Sequence, residues 1–306
     1  MKQPNKSKEI CLFHLIINSI YIPALSVCLL VFMMGCNKYN EPDNKTTIMN
    51  NKNTHISDKT RNALESTKDK SIIFFHHSVG ENILNGLRGL AEESGVGIKI
   101  QTVRNEPISN ETELTRLKKI IDITGGKNGQ PKTKVDSFVE QIKNLNSNVV
   151  PDIAFMKFCY VDFNPYTNVN ELFSYYKQKI ELLKKERPDI KLAHFTVPLF
   201  EQPNSIKDKI NRFLGRLVWE DSTNIKRAEF NKLLFETFPQ DPIFDIARIE
   251  STLPDGTRSS FEKDGNTYYS LASEYTDDGG HLNAPGQRRA AIEIAEFLAK
   301  IPHTKK

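Results

Sequence analysis

Ser71-Ile72-Ile73-Phe74-Phe75-His76-His77-Ser78-Val79-Gly80 is an apolar run of strand length that ends in two histidines, a serine and a glycine. Behind it, Ile83, Leu84, Leu87, Leu90 and Ala91 recur at helical spacing until Gly95 stops the pattern. A strand that feeds directly into an amphipathic helix is half of a βαβ unit. The chain downstream repeats that alternation. Strands are predicted at Ile98 to Val103, Val149 to Phe158, Lys191 to Val197 and Ile243 to Ile246, and helices at Val135 to Leu145, Ile206 to Leu217 and Ile225 to Phe238. Asn168 with Glu171 forms a capping box for a helix striped by Leu172, Tyr176, Ile180 and Leu183, with Pro188 beyond its end. A last helix runs from about Pro285 to Lys300 and buries Ala291, Ile294, Leu298 and Ile301. Strands separated by helices imply parallel pairing and a doubly wound α/β domain of three layers. Residues 201–222 and 251–276 read as insertions over the sheet edge.

Upstream of this domain the chain reads as an address. Lys2, Lys6 and Lys8 precede an apolar stretch from about Ile10 to Met34, which ends in Met33-Met34-Gly35-Cys36. A basic start followed by an apolar run is the layout of a secretory signal. A small residue before a cysteine, where the apolar run stops, resembles a bacterial lipobox. Residues 1–36 are therefore expected to be a lipoprotein signal, with Cys36 the lipidated residue. An uncleaved transmembrane anchor is the alternative. Both place the domain outside the cytoplasm, and the lipid would hold it to the bacterial cell envelope. Residues 37–68 are polar with almost no apolar periodicity and read as a flexible tether. The domain itself is expected over residues 69–306. The cysteines are Cys11, Cys28, Cys36 and Cys159, so a chain cut at Cys36 keeps only one thiol beyond it and gains no internal disulfide. A net charge of +4, spread among nearly equal numbers of acids and bases, gives no reason to expect nucleic acid as a partner.

In a doubly wound sheet, ligands collect beyond the carboxyl ends of the strands. The loop after Phe75 puts Ser78 at a helix N-terminus, where backbone N–H groups favour a developing oxyanion. A serine there is also an ordinary helix cap. Near the other end of the domain stands Asp277-Asp278-Gly279-Gly280-His281-Leu282-Asn283-Ala284-Pro285-Gly286. A carboxylate three residues before a histidine can orient the imidazole, and a histidine so held can take a proton from a serine. Asn283 caps the last helix in the same turn.

With these two blocks the domain resembles the SGNH (GDSL-like) hydrolase superfamily over about residues 70–302. The resemblance implies a flavodoxin-like three-layer α/β/α sandwich with a central parallel sheet. It implies ester hydrolysis by Ser78 as nucleophile, His281 as base and Asp278 as its partner, with no cofactor or metal. Two departures stand out. His76-His77-Ser78 replaces Gly-Asp-Ser, and no asparagine sits at the expected place after the third strand, where Asn164 is close but offset. The oxyanion hole would then fall to the Ser78 amide with Gly126 or Asn128, from the stretch Gly125 to Gly129. His77, Tyr160 and Asp162 are the expected pocket residues. Adjacent histidines after a strand point to opposite sides, so His76 is expected against the sheet and His77 in the pocket. Cys159 reads as a small buried hydrophobe, His194 as a core histidine, and Asp245, like Asp162, as either a substrate contact or a loop cap. Lys207 to Arg216 with Trp219 reads as an amphipathic surface helix, or as one wall of a pocket. The expected substrate is an ester-bearing small molecule or glycan. Two other readings compete with hydrolysis: a glycan-binding lipoprotein without catalysis, and a metal-dependent phosphoesterase using His76, His77, Asp278 and His281.

Overall fold

Six short apolar segments pair edge to edge in a parallel sheet: β1 (Ile72–Phe75), β2 (Ile100–Arg104), β3 (Ile120–Thr124), β4 (Ile153–Met156), β5 (Leu192–Phe195) and β6 (Ile243–Phe244). The computed structural model describes residues 56–104, 118–146 and 150–303. The apolar leader, Cys36 and the tether up to residue 55 lie outside them. The strand order is β2-β3-β1-β4-β5-β6. Without the edge strand β2, the order is the flavodoxin-like 2-1-3-4-5. The order reverses between β1 and β4, and in such sheets the crevice that takes ligands lies beyond the carboxyl ends of those strands.

Successive strand residues face opposite sides, and each side has its own core. Phe74, Phe155 and Phe195 line one face, packed under α2 (Val79–Ser94) and α8 (Ala284–Ala299). Phe75, Ile123 and Met156 line the other, under α3 (Pro131–Lys143), α4 (Val169–Glu186) and α6 (Trp219–Thr237). Phe74 and Phe75 are both fully buried, and burial of such a ring contributes on the order of 2–3 kcal/mol. The three-layer expectation holds, with helices on both faces. The two insertions carry α5 (Ile206–Phe213) and an antiparallel hairpin of β7 (Ser260–Lys263) and β8 (Asn266–Tyr269). A short α7 (Ile246–Ser251) follows β6, capped by Asp245, whose carboxylate accepts from the Arg248 amide at 3.2 Å.

Two expectations need correction. The tether does not extend to residue 68, because Asp58–Lys68 forms helix α1. Ser57 caps it by accepting from the Thr60 amide at 3.1 Å, and Ala63, Leu64 and Thr67 are buried in contact with the domain. Thr67 and Lys70 reach carbonyls at Ala295 and Ile301 around α8. A stripe of only three small or apolar residues in a polar stretch was too weak to read as a helix. The second correction is β3, a strand in a stretch to which the sequence assigned no element. Its run Ile120-Ile121-Asp122-Ile123 is broken by a buried acid, whose partner comes from elsewhere in the fold.

Candidate active site

Ser78 begins α2 with φ 22° and ψ −82°, a conformation that an L-residue adopts only under strain. Its hydroxyl makes no capping bond to the helix. The alternative of an ordinary serine cap therefore fails here, and the side chain is free for other work. Oγ lies 3.9 Å from Cys159 Sγ, across the point where the strand order reverses. Among the described residues, neither the Ser78 amide nor the Gly126 amide has a hydrogen-bond acceptor. These are first-turn and loop donors of the kind that a bound anion satisfies.

The paired histidines divide as alternation requires. His76 turns to the α2 side and is buried, with Nε2 2.7 Å from Asp122 Oδ1 but not aligned as a regular hydrogen bond. Thr102 donates to the other Asp122 oxygen at 2.9 Å. The His76 ring fills the space beside Gly80, where an added Cβ would stand 2.2 Å from Cγ of that ring. Only a glycine lets the first turn of α2 approach so closely. His77 turns the other way, half-buried, and donates Nε2–H to the Gly125 carbonyl at 2.7 Å. Burial, with the charges of Lys134 and Lys157, lowers its basicity and favours the neutral ring.

The opposite side of the crevice is the Asp278–His281 turn. His281 Nδ1 lies 2.6 Å from Asp278 Oδ2, while Asp278 Oδ1 accepts from the amides of Gly280 and His281 at 2.9 and 2.8 Å. Partial burial works against the charge of Asp278. The two amides and the His281 ring outweigh it and hold the carboxyl well below the usual carboxylate range. A carboxylate can only accept, so Nδ1 carries the proton, and in the neutral ring Nε2 is the nitrogen with the lone pair. Nε2 lies 3.5 Å from Tyr160 Oη, with the two rings edge to face.

The loop after β4 joins the two sides. Cys159 meets Ser78 and Tyr160 meets His281. This loop is held from beneath. Lys134 pairs with Asp162 at 2.6 Å, both fully buried, and Asp162 also accepts from the amides of Cys159 and Gly129 at 2.7 and 2.9 Å. From above, the buried Arg227 donates to the Tyr160 carbonyl at 2.9 Å. Burial lowers its guanidinium to about 10. The turn is tied to α2 as well, because Asn82 accepts from the Leu282 amide at 3.1 Å. Buried Lys157 donates to the Phe158 carbonyl at 3.0 Å and approaches Cys159 Sγ at 3.9 Å.

The expected site residues therefore divide. Ser78, Tyr160, Asp278 and His281 meet around one loop, and Gly126 leaves its amide free near His77. Asp162 is corrected: its carboxylate is a buried brace for the loop and cannot reach substrate. Asn128 is exposed, and its Oδ1 accepts from Lys134 at 2.7 Å, so its side chain serves the same brace. Ser78 and His281 share no direct hydrogen bond among the described residues. Apo geometry of this kind is often loose. The metal reading is not supported by placement. His76 and His77 face opposite ways, and the one His/carboxylate cluster among the described residues, His76 with Glu81 and Asp122, excludes Asp278 and His281. Its Glu81 is engaged by Arg88 at 2.7 Å. His194 is the satisfied core histidine expected, between Tyr176 Oη at 2.8 Å and Asp241 at 3.0 Å. Sequence reasoning missed the Cys159 contact with Ser78 and the role of Arg227. The motif Lys157-Phe158-Cys159-Tyr160 after a buried strand was the available signal for the first; a lone basic residue in a helix carried none for the second.

No protein-family model matches this chain, and no curated protein matches its sequence. Solved structures with a similar backbone include a GDSL-like lipase from Parabacteroides merdae, 15% identical over 76% of this chain and 98% of that one, with a TM-score of 0.44. A Streptococcus pneumonia structure described as a platelet activating factor is 15% identical over 78% and 91%, TM-score 0.43. The periplasmic domain of a lipopolysaccharide acetyltransferase from Salmonella ser. Paratyphi A is 14% identical over 78% and 88%, TM-score 0.42. At this level of similarity they assign the chain neither a family nor a substrate.

Proposed function

We propose that this protein is a serine ester hydrolase with Ser78 as nucleophile, His281 as general base and Asp278 as the group that orients it. The observation that carries the reading is the strained, uncapped Ser78 with a free amide, set across one loop from a histidine whose tautomer is fixed. The mechanism requires Ser78 Oγ to turn from Cys159 to His281 Nε2. Oγ then attacks the ester carbonyl as Nε2 takes its proton, and the amides of Ser78 and Gly126 receive the oxyanion. His281 returns the proton to the leaving alcohol, and water attacks the resulting acyl-serine with the same histidine as base. Asp278 stays ionised throughout and offsets the imidazolium charge. His77 sets the Gly125–Gly126 turn, and Tyr160 walls the pocket beside His281.

The substrates proposed are O-acyl, including O-acetyl, groups on envelope or dietary glycans, met by a domain held to the membrane through lipid on Cys36. The test is hydrolysis of p-nitrophenyl acetate and O-acetylated sugars by the full chain. Ser78→Ala is expected to remove at least ~10³-fold of kcat/KM. Turnover unchanged in that variant would refute the serine mechanism.

A further inference from the structure

The helix α5 is turned the wrong way for a globular protein. Ile206, Ile210, Phe213, Leu214 and Leu217 recur at helical spacing as an apolar stripe. That stripe faces water: no residue of α5 is buried, and Ile206 and Phe213 are 78% and 89% exposed. The polar back of the helix is what fastens it. Arg212 grips Asp221 at 2.5 Å and the Pro203 carbonyl, and Asp208 bonds the Ser205 cap. The apolar surface continues to Trp219, half exposed, whose ring meets the exposed Tyr166 edge to face at 6.0 Å.

Charge on this segment is mostly positive. From Pro203 to Trp219 the chain holds Lys207, Lys209, Arg212 and Arg216 against the single carboxylate of Asp208. Lys207 and Lys209 flank the stripe, exposed, and with Arg216 they have no ion-pair partner among the described residues. An outward apolar stripe with aromatic rings and a basic rim is the pattern of a helix that lies in a bilayer interface. We propose that α5 and the segment to Trp219 form a docking surface for an anionic lipid bilayer. The rim complements anionic headgroups, whereas a second copy of the same face would set like charges against one another. No helix among the described residues is long and apolar enough to span a membrane, so contact would be interfacial. Trp219 opens α6, and Arg227, which holds the Tyr160 carbonyl, lies about 12 Å further along that helix. Through α6 and Arg227 the proposed docking segment is tied to the loop that carries Tyr160. The inference is independent of the esterase reading.

Trp219 is the only tryptophan in the chain, so its fluorescence reports on this surface alone, whatever the N-terminal segment does. The full chain is reconstituted into vesicles of phosphatidylcholine with phosphatidylglycerol, and into phosphatidylcholine alone. In the anionic vesicles Trp219 emission is expected to shift to the blue, to be quenched at least twofold by lipids brominated on their acyl chains, and to be shielded from acrylamide. The double variant Ile206→Asp/Phe213→Asp is expected to lose all three effects with an unchanged Tm, because both side chains stand in water. Emission and acrylamide access that match in anionic and neutral vesicles would overturn the proposal. So would a concentration-dependent dimer abolished by the double variant without any lipid response, which would assign the face to a second copy.

Discussion

The two sides of the crevice are built in opposite ways. The Asp278–His281 turn is local: a carboxylate, two amides and an imidazole bond one another within four residues. The Ser78 elbow has no such support. Its backbone is strained, its hydroxyl caps nothing, and the groups that pack around it come from distant segments, Asp122 through His76 and Cys159 from the loop after β4. A local motif carries its geometry in its spacing. A strained element needs a surrounding structure that leaves it no alternative. The contrast teaches that His281 is held by local hydrogen bonds and Ser78 by packing.

That contrast predicts different failures on the two sides. The largest effect is expected from Asp278→Asn, which keeps an oxygen for the Gly280 and His281 amides but can no longer fix the Nδ1–H tautomer. Activity on p-nitrophenyl acetate should fall roughly 10³–10⁴-fold while Tm stays within about 2 °C. A large loss of Tm would show that the turn is not self-sufficient. Next comes Gly80→Ala, where the added Cβ meets the His76 ring. Overpacking of this kind costs about 3 kcal/mol, or roughly 6–12 °C in Tm for a domain of this size, and activity should fall with it as the elbow shifts. A Tm equal to that of the parent protein would mean that His76 does not hold the elbow. The smallest effect has the opposite sign. Ser78→Gly relieves the strain at φ 22° and loses no cap bond, so Tm should rise by roughly 2–4 °C, about 1 kcal/mol, as activity disappears. A fall in Tm would place the strain elsewhere.

How far the sequence could be read follows the same line. The alternation that begins at Ile72–Phe75 was enough for the three-layer fold and for most helices, because strand and helix periods are properties of consecutive residues. β3 escaped because Asp122 interrupts its apolar run, and α1 because Ala63, Leu64 and Thr67 are too few to mark a face alone. At the site, Asp278-x-x-His281 was legible as a unit, since i to i+3 spacing in a glycine-rich turn brings the two side chains together. Asp162 was misread because its position at a strand end fits a pocket residue as well as it fits a brace. Only Lys134, 28 residues earlier on another helix, decides between them.

By itself the sequence determined the alternation of most strands and helices, the opposite facing of His76 and His77, and the histidine–carboxylate pair at the end of the domain. Each is set by spacing along the chain. Tertiary structure alone decided that Ser78 is strained rather than a cap, that Cys159 meets Ser78, and that the apolar stripe of α5 faces out. The physical reason is common to all three. Strain, long-range contact and exposure depend on what other segments bring to a position, and no local pattern records that.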